Sequence, residues 1–89
     1  MKFNDGDHVK ILPHLWWPEG GTGRVSIPPD FISEAIYSGD TFDTTQRTLI
    51  GNNRLITEIW VSFDTPIMDI SDDGPYVAGE VSMEYLELL

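Results

Sequence analysis

The stretch from Asp69 to Glu80 reads Asp-Ile-Ser-Asp-Asp-Gly-Pro-Tyr-Val-Ala-Gly-Glu, with oxygen-bearing side chains at its first, third and fifth positions, glycine sixth and glutamate twelfth. This is the outline of a calcium loop, because a hard cation needs several carboxylates and a turn tight enough to converge them. Three features oppose that chemistry. Ser71 is a weak third ligand, residues 59–63 read as strand rather than entering helix, and Pro66 would interrupt such a helix. An acidic β-turn accounts for the same residues, so no metal site is assigned. His8 and His14 are the only histidines, and an imidazole beside a carboxylate can act as a general base. Their places, on a strand and at the start of a loop, suit surface polar residues better. The chain has no Gly-x-Ser-x-Gly elbow, phosphate loop or His-Glu-x-x-His helix. No catalytic residue or cofactor is assigned, and a non-enzymatic role is expected.

The remaining chemistry belongs to tryptophan. Trp16, Trp17 and Trp60 are the three in the chain, and tryptophan is enriched where interfaces concentrate their binding energy. It also fills cores, and at least one of the three should do so in a chain this short. Trp17-Pro18, followed by Glu19, is the candidate for an exposed contact. The candidate partner-binding set is Trp16, Trp17, Glu19, Asp40 and Asp43, with the aromatics supplying contact and the acids complementing positive charge.

The elements that must hold these residues are short. Val9 and Ile11 alternate with His8 and Lys10, as a half-buried strand requires. Gly20, Gly21 and Gly23 offer the backbone freedom to turn into a second strand at Arg24-Val25-Ser26-Ile27, which Pro28-Pro29 ends. Residues 13–19 form the long loop between the two strands. Asp30 is a possible N-cap for a short helix over 31–38, although a loop or an extended segment accommodates that spacing too. Residues 39–46 read as loop. A hairpin follows, with arms at 47–50 and 54–63 around Gly51-Asn52-Asn53. On its second arm Leu55, Thr57, Ile59, Val61 and Phe63 share the expected core face. Trp60 lies opposite, as a second packing surface or part of a ligand-facing patch. Asp64-Thr65-Pro66 should close that strand. A strand over 76–81, one helical turn over 82–85 and a short strand over 86–89 complete the chain.

With 89 residues, 40% of them apolar, this is expected to be a single domain over 1–89 with one modest core. There is no cysteine, which excludes disulfides, thiolate metal sites and a cysteine nucleophile. The N-terminus lacks an apolar signal region and no apolar run reaches membrane-spanning length. A soluble, cytoplasmic protein, monomeric when isolated, is the expectation. Net charge is −10, yet it is unevenly placed. Lys2, Lys10 and Arg24 balance Asp5, Asp7 and Glu19 up to Pro28, whereas from Asp64 onward there are seven acids and no lysine or arginine. Phosphate backbones and anionic membranes are bound through basic residues, so neither is an expected partner. A protein partner with a basic surface suits the field.

Gly6-Asp7-x-Val9-x-Ile11, Gly21-Thr22-Gly23-x-Val25, Trp60-Val61-x-Phe63-Asp64 and Val81-x-x-x-Tyr85-Leu86-Glu87 together resemble an SH3-like small barrel. The resemblance is to the group containing electron-transport accessory proteins, ferredoxin-thioredoxin reductase variable chains and the C-terminal domain of the nitrile hydratase β-subunit. It implies a mainly all-β fold of about five strands, a long first loop, a one-turn helix before the last strand, and an enlarged loop over 28–53. It also implies a docking or accessory subunit, whose partner would be a basic protein or a larger enzyme subunit, rather than a catalyst. The Ala-Leu-Tyr-Asp-Tyr signature of signalling SH3 domains is absent, which weighs against polyproline binding. Acidic ferredoxin is disfavoured as a partner by like-charge repulsion. The second expectation is an acidic inhibitor or immunity-type protein that neutralises a basic partner, and the third, resting on the Asp69–Glu80 loop and the two histidines, is a calcium-binding or enzymatic domain.

Overall fold

The structure, a computed structural model, describes residues 3–28, 41–43, 46–51, 54–72 and 74–89, with side chains described for 3–28, 57–72 and 74–89. The fold is all-β. Its strands are β1 (His8–Ile11), β2 (Gly21–Val25), β3 (Thr41–Asp43), β4 (Gln46–Gly51), β5 (Arg54–Ile67), β6 (Tyr76–Ser82) and β7 (Leu86–Leu88), with a 3-10 turn at Met83–Tyr85. All the strand pairings are antiparallel. The expected helix over 31–38 falls outside the described residues, as does Asp40.

β5 is the strand on which the others assemble, because its length lets one edge serve two partners. Arg54 to Ile59 pair with β4, and Val61 to Phe63 pair with β2. Glu58, Ile59, Val61 and Ser62 pair with β6 while also pairing with β4 or β2, so β6 must occupy the opposite edge. From β2 the sheet continues to β1 and then β7. Among the described residues β6 pairs only with β5 and β7 only with β1, so the sheet is not closed into a barrel. The 3-10 turn joins these two strands across the opening.

The alternation expected on β1 and β5 is present. Val9 and Ile11 point inward with Val25, Ile59, Val61 and Val81, all at most 1% exposed. Burying each such side chain contributes roughly 1.5–3 kcal/mol. Phe3, Trp17, Phe63, Ile67 and Leu86 complete the described core. Trp60 is also buried, at 8%, but stands outside that cluster, on the opposite face of β5. It therefore packs on a second face, and the ligand-facing alternative for it is set aside.

Three strand boundaries differ from expectation. Thr41–Asp43 forms β3 rather than loop, because β4 supplies a ladder through Thr48, Arg47 and Gln46 to a segment with no apolar period of its own. β5 does not close at Pro66 but runs on to Ile67, which pairs with Tyr76. Between the Ser62 and Ile67 pairings the register with β6 slips, so Pro66 sits where the ladder is already irregular and its missing N–H costs little. Lastly, Gly21 and Gly23 lie within β2 instead of making the reversal. Gly20, at φ 64°, supplies the left-handed step that ends the first loop, and Gly21 opens β2 at φ 155°.

Candidate interaction site

The first loop, residues 12–20, is fixed at both ends by hydrogen bonds its sequence does not advertise. The Leu12 N–H donates to the Tyr85 carbonyl at 2.8 Å. His14 donates from Nδ1 to the Leu12 carbonyl at 2.7 Å, and its ring stacks on Tyr85 with centroids 4.0 Å apart and planes 7° from parallel. At the far end, the N–H groups of His14 and Gly20 both reach the Trp17 carbonyl, at 3.3 and 3.0 Å. Histidine at position 14 is thus part of the loop's frame.

Trp17 is the anchor. Its indole is 7% exposed, meets Phe63 edge-on at 4.9 Å and Tyr76 edge-on at 6.0 Å, and donates from Nε1 to the Glu80 carbonyl at 2.8 Å. A buried indole N–H left unpaired would carry a desolvation penalty, so the Glu80 bond sets the orientation of the ring. Gly79 makes room for it: a Cβ there would lie 2.6 Å from Trp17 Cζ2. The expectation that Trp17 is an exposed contact is therefore corrected. Its ring fills the space above Gly79 and belongs to the core.

Burying Trp17 leaves its neighbour outside. Trp16 is 64% exposed and Leu15 68%, and the Trp16 carbonyl accepts from the Ile70 N–H at 3.0 Å, bringing the 42%-exposed Ile70 to the same place. Glu19 is exposed at the end of the loop. Asp43 is not brought to them. It pairs with Gln46, which pairs with Ile59, on the β4 edge of β5. Its backbone is thus two strands from β5 and four residues along from the Phe63 that Trp17 touches, or about 10 Å across and ~13 Å along. Sequence reading missed Leu15 and Ile70. Both are apolar residues among turn-formers, which is a signal that position in the fold alone makes meaningful.

The Asp69–Glu80 stretch is a turn followed by a strand. Asp69 Oδ1 accepts from the Ser71 N–H at 2.9 Å and the Ser71 hydroxyl at 2.6 Å, and Asp72 takes a positive φ of 57°. Glu80, the would-be twelfth ligand, lies within β6 opposite Trp60. Among the described residues no three histidine, aspartate or glutamate side chains gather to hold a metal ion.

A second polar group lies on the outer face of β1, β2 and β5. His8 Nε2 and the Thr22 hydroxyl both donate to Asp64 Oδ2 at 2.8 Å, while Ser26 Oγ donates to Ser62 Oγ at 2.9 Å. The histidine thus bonds the acid, and the serines bond each other. The arrangement ties three strands together and faces solvent, with His8 38% and Asp64 42% exposed. The His8 hydrogen bond, then the Thr22 hydroxyl, hold the Asp64 carboxyl below its ordinary value.

No family model, curated protein or solved structure matches this chain. Among the described residues no helix is long and apolar enough to cross a membrane.

Two expected outcomes follow from this geometry. Trp17→Ala should lose about 3–5 kcal/mol in urea unfolding, as large aromatic truncations in cores do, whereas Trp16→Ala should stay within about 0.5 kcal/mol of the parent. Equal losses would contradict the assignment. Because the folded Asp64 carboxyl titrates low, its bonds stabilise the fold above the ordinary value of 3.8 and are lost as pH falls through the folded midpoint. A carboxyl titration followed by NMR should place Asp64 below 3.8 and should move upward in His8→Gln. A midpoint at or above 3.8 in the parent would refute it.

Proposed function

We propose that this chain is a non-catalytic interaction module on an SH3-like scaffold, which docks a protein partner through the first loop. Support for the scaffold comes from the order β7-β1-β2-β5-β6, the long loop between β1 and β2, and the 3-10 turn before β7. The long first loop and the helical turn before the last strand are what the likeness to the accessory-protein and nitrile hydratase β-subunit group implies. In that arrangement the β3–β4 hairpin is an insertion between the second and third strands of the scaffold.

The observation that carries the docking role is the pairing of opposite fates at adjacent residues. Trp17 is buried and hydrogen-bonded, and Trp16 is held outward on the loop it anchors. An isolated exposed tryptophan on a free loop would lose side-chain and backbone entropy on binding. A loop already fixed at Leu12, Trp17 and Gly20 lowers that cost. Trp16 is then the contact, with Glu19 exposed on the same loop; Trp17 positions the loop and does not touch the partner.

The charge distribution favours a second reading, that of an acidic inhibitor covering a basic surface. From Asp64 onward seven acids meet no lysine or arginine, and steering of that kind acts mainly on encounter rate and is screened by salt. The two readings separate in one experiment. The immobilised protein and its Trp16→Ala variant are used to capture partners from the source cells at low and high salt, where the screening length falls from about 10 Å to about 3 Å. A partner retained at high salt and lost in Trp16→Ala supports docking by the loop. One captured only at low salt and indifferent to Trp16→Ala supports the inhibitor. Capture by neither would count against both.

A further inference from the structure

Resting on the docking reading, we infer that the surface made by Leu15, Trp16 and Ile70 receives a basic amphipathic segment of the partner, one that interleaves lysine or arginine with apolar side chains. The apolar half of this inference is geometric. Three large apolar residues, 68%, 64% and 42% exposed, lie on two segments that the bond from the Ile70 N–H to the Trp16 carbonyl, at 3.0 Å, holds side by side. The backbone on both sides of that crossing is fixed, on one side by Trp17 and on the other by the Asp69–Ser71 turn. Side chains presented from a fixed frame make a defined seat for a partner's apolar groups.

The ionic half comes from what surrounds the seat. Ile70 stands between Asp69 and Asp72, and Glu19 closes the loop that carries Trp16. Residues 12–20 and 64–75 contain no lysine or arginine. The nearest described cations along the chain, Lys10 and Arg24, belong to the outward positions of β1 and β2 instead, and Arg24 donates to the Gly6 carbonyl at 3.1 Å. Apolar residues carried on segments that hold acids and no cation select cations flanking an apolar contact, and an exposed indole adds cation–π attraction for them. A second copy of this chain would bring another net charge of −10 to the same place. An anionic lipid surface is opposed by the same acids.

The test titrates the whole protein with three synthetic peptides while its amide and indole resonances are followed. One alternates lysine with leucine, one alternates glutamate with leucine, and one alternates lysine with serine. The Lys/Leu peptide should shift Leu15, Trp16, Ile70 and the Trp16 indole, bind at least about tenfold more tightly than the other two, and lose a similar factor in Trp16→Ala. Binding of the Glu/Leu peptide at the same residues with equal strength would overturn the basic-partner inference and leave the docking reading standing. Absence of shifts at Leu15, Trp16 and Ile70 with all three at millimolar concentration would overturn both. Shifts of these residues with protein concentration alone, confirmed as dimerisation by sedimentation, would assign the seat to a second copy and overturn the basic-segment inference.

Discussion

The first loop depends above all on one buried contact, the Trp17 indole lying over Gly79 and donating to the Glu80 carbonyl. A small domain has few places to store a large aromatic ring, and here the available place is a strand position with no side chain. Closing that contact draws the loop between β1 and β2 onto β6, a strand that pairs with neither of them among the described residues. It thereby links the two halves of an open sheet. The loop then cannot collapse inward, and the residue before Trp17 is left facing solvent. Core packing and exposed surface are in this sense the same event.

β5 makes that event possible. A strand of 14 residues can offer one edge to β4 and β2 in succession and the other to β6. Phe63 and Gly79 are then brought to the same side of the sheet, under the loop. The register slip beyond Ser62 lets the chain leave the ladder and return, and the turn it makes carries Ile70 to the Trp16 carbonyl. On the outer face, His8, Thr22 and Asp64 cross-link β1, β2 and β5 without competing for the interior.

How much of this was legible in the sequence depended on whether a residue belonged to a periodic run. Val9 and Ile11, and Ile59, Val61 and Phe63, announced their faces by strict alternation, and the one-turn helix before the last strand was equally readable. Thr41–Asp43 gave no such sign, since its pairing comes from β4 and not from its own side chains. Pro66 misled because a proline ends a strand only where the ladder needs its N–H. At the candidate site the failure was sharper. Two adjacent tryptophans in a loop have no period to say which turns inward, and the deciding residue, Gly79, is 62 positions away and looks like any other turn-former. Trp16 and Glu19 were legible as contact candidates, but the choice of Trp16 over Trp17 as the exposed ring was not. Asp43, chosen for its charge alone, proved to belong to a different edge of the sheet.

The central claim, that Trp17 is locked and Trp16 presented, is tested most directly by hydrogen exchange at the two indole N–H groups of the unmodified protein. The Trp17 indole, bonded to the Glu80 carbonyl and 7% exposed, should exchange far more slowly than that of Trp16, which is 64% exposed. Comparable exchange at the two, or slower exchange at Trp16, would contradict it.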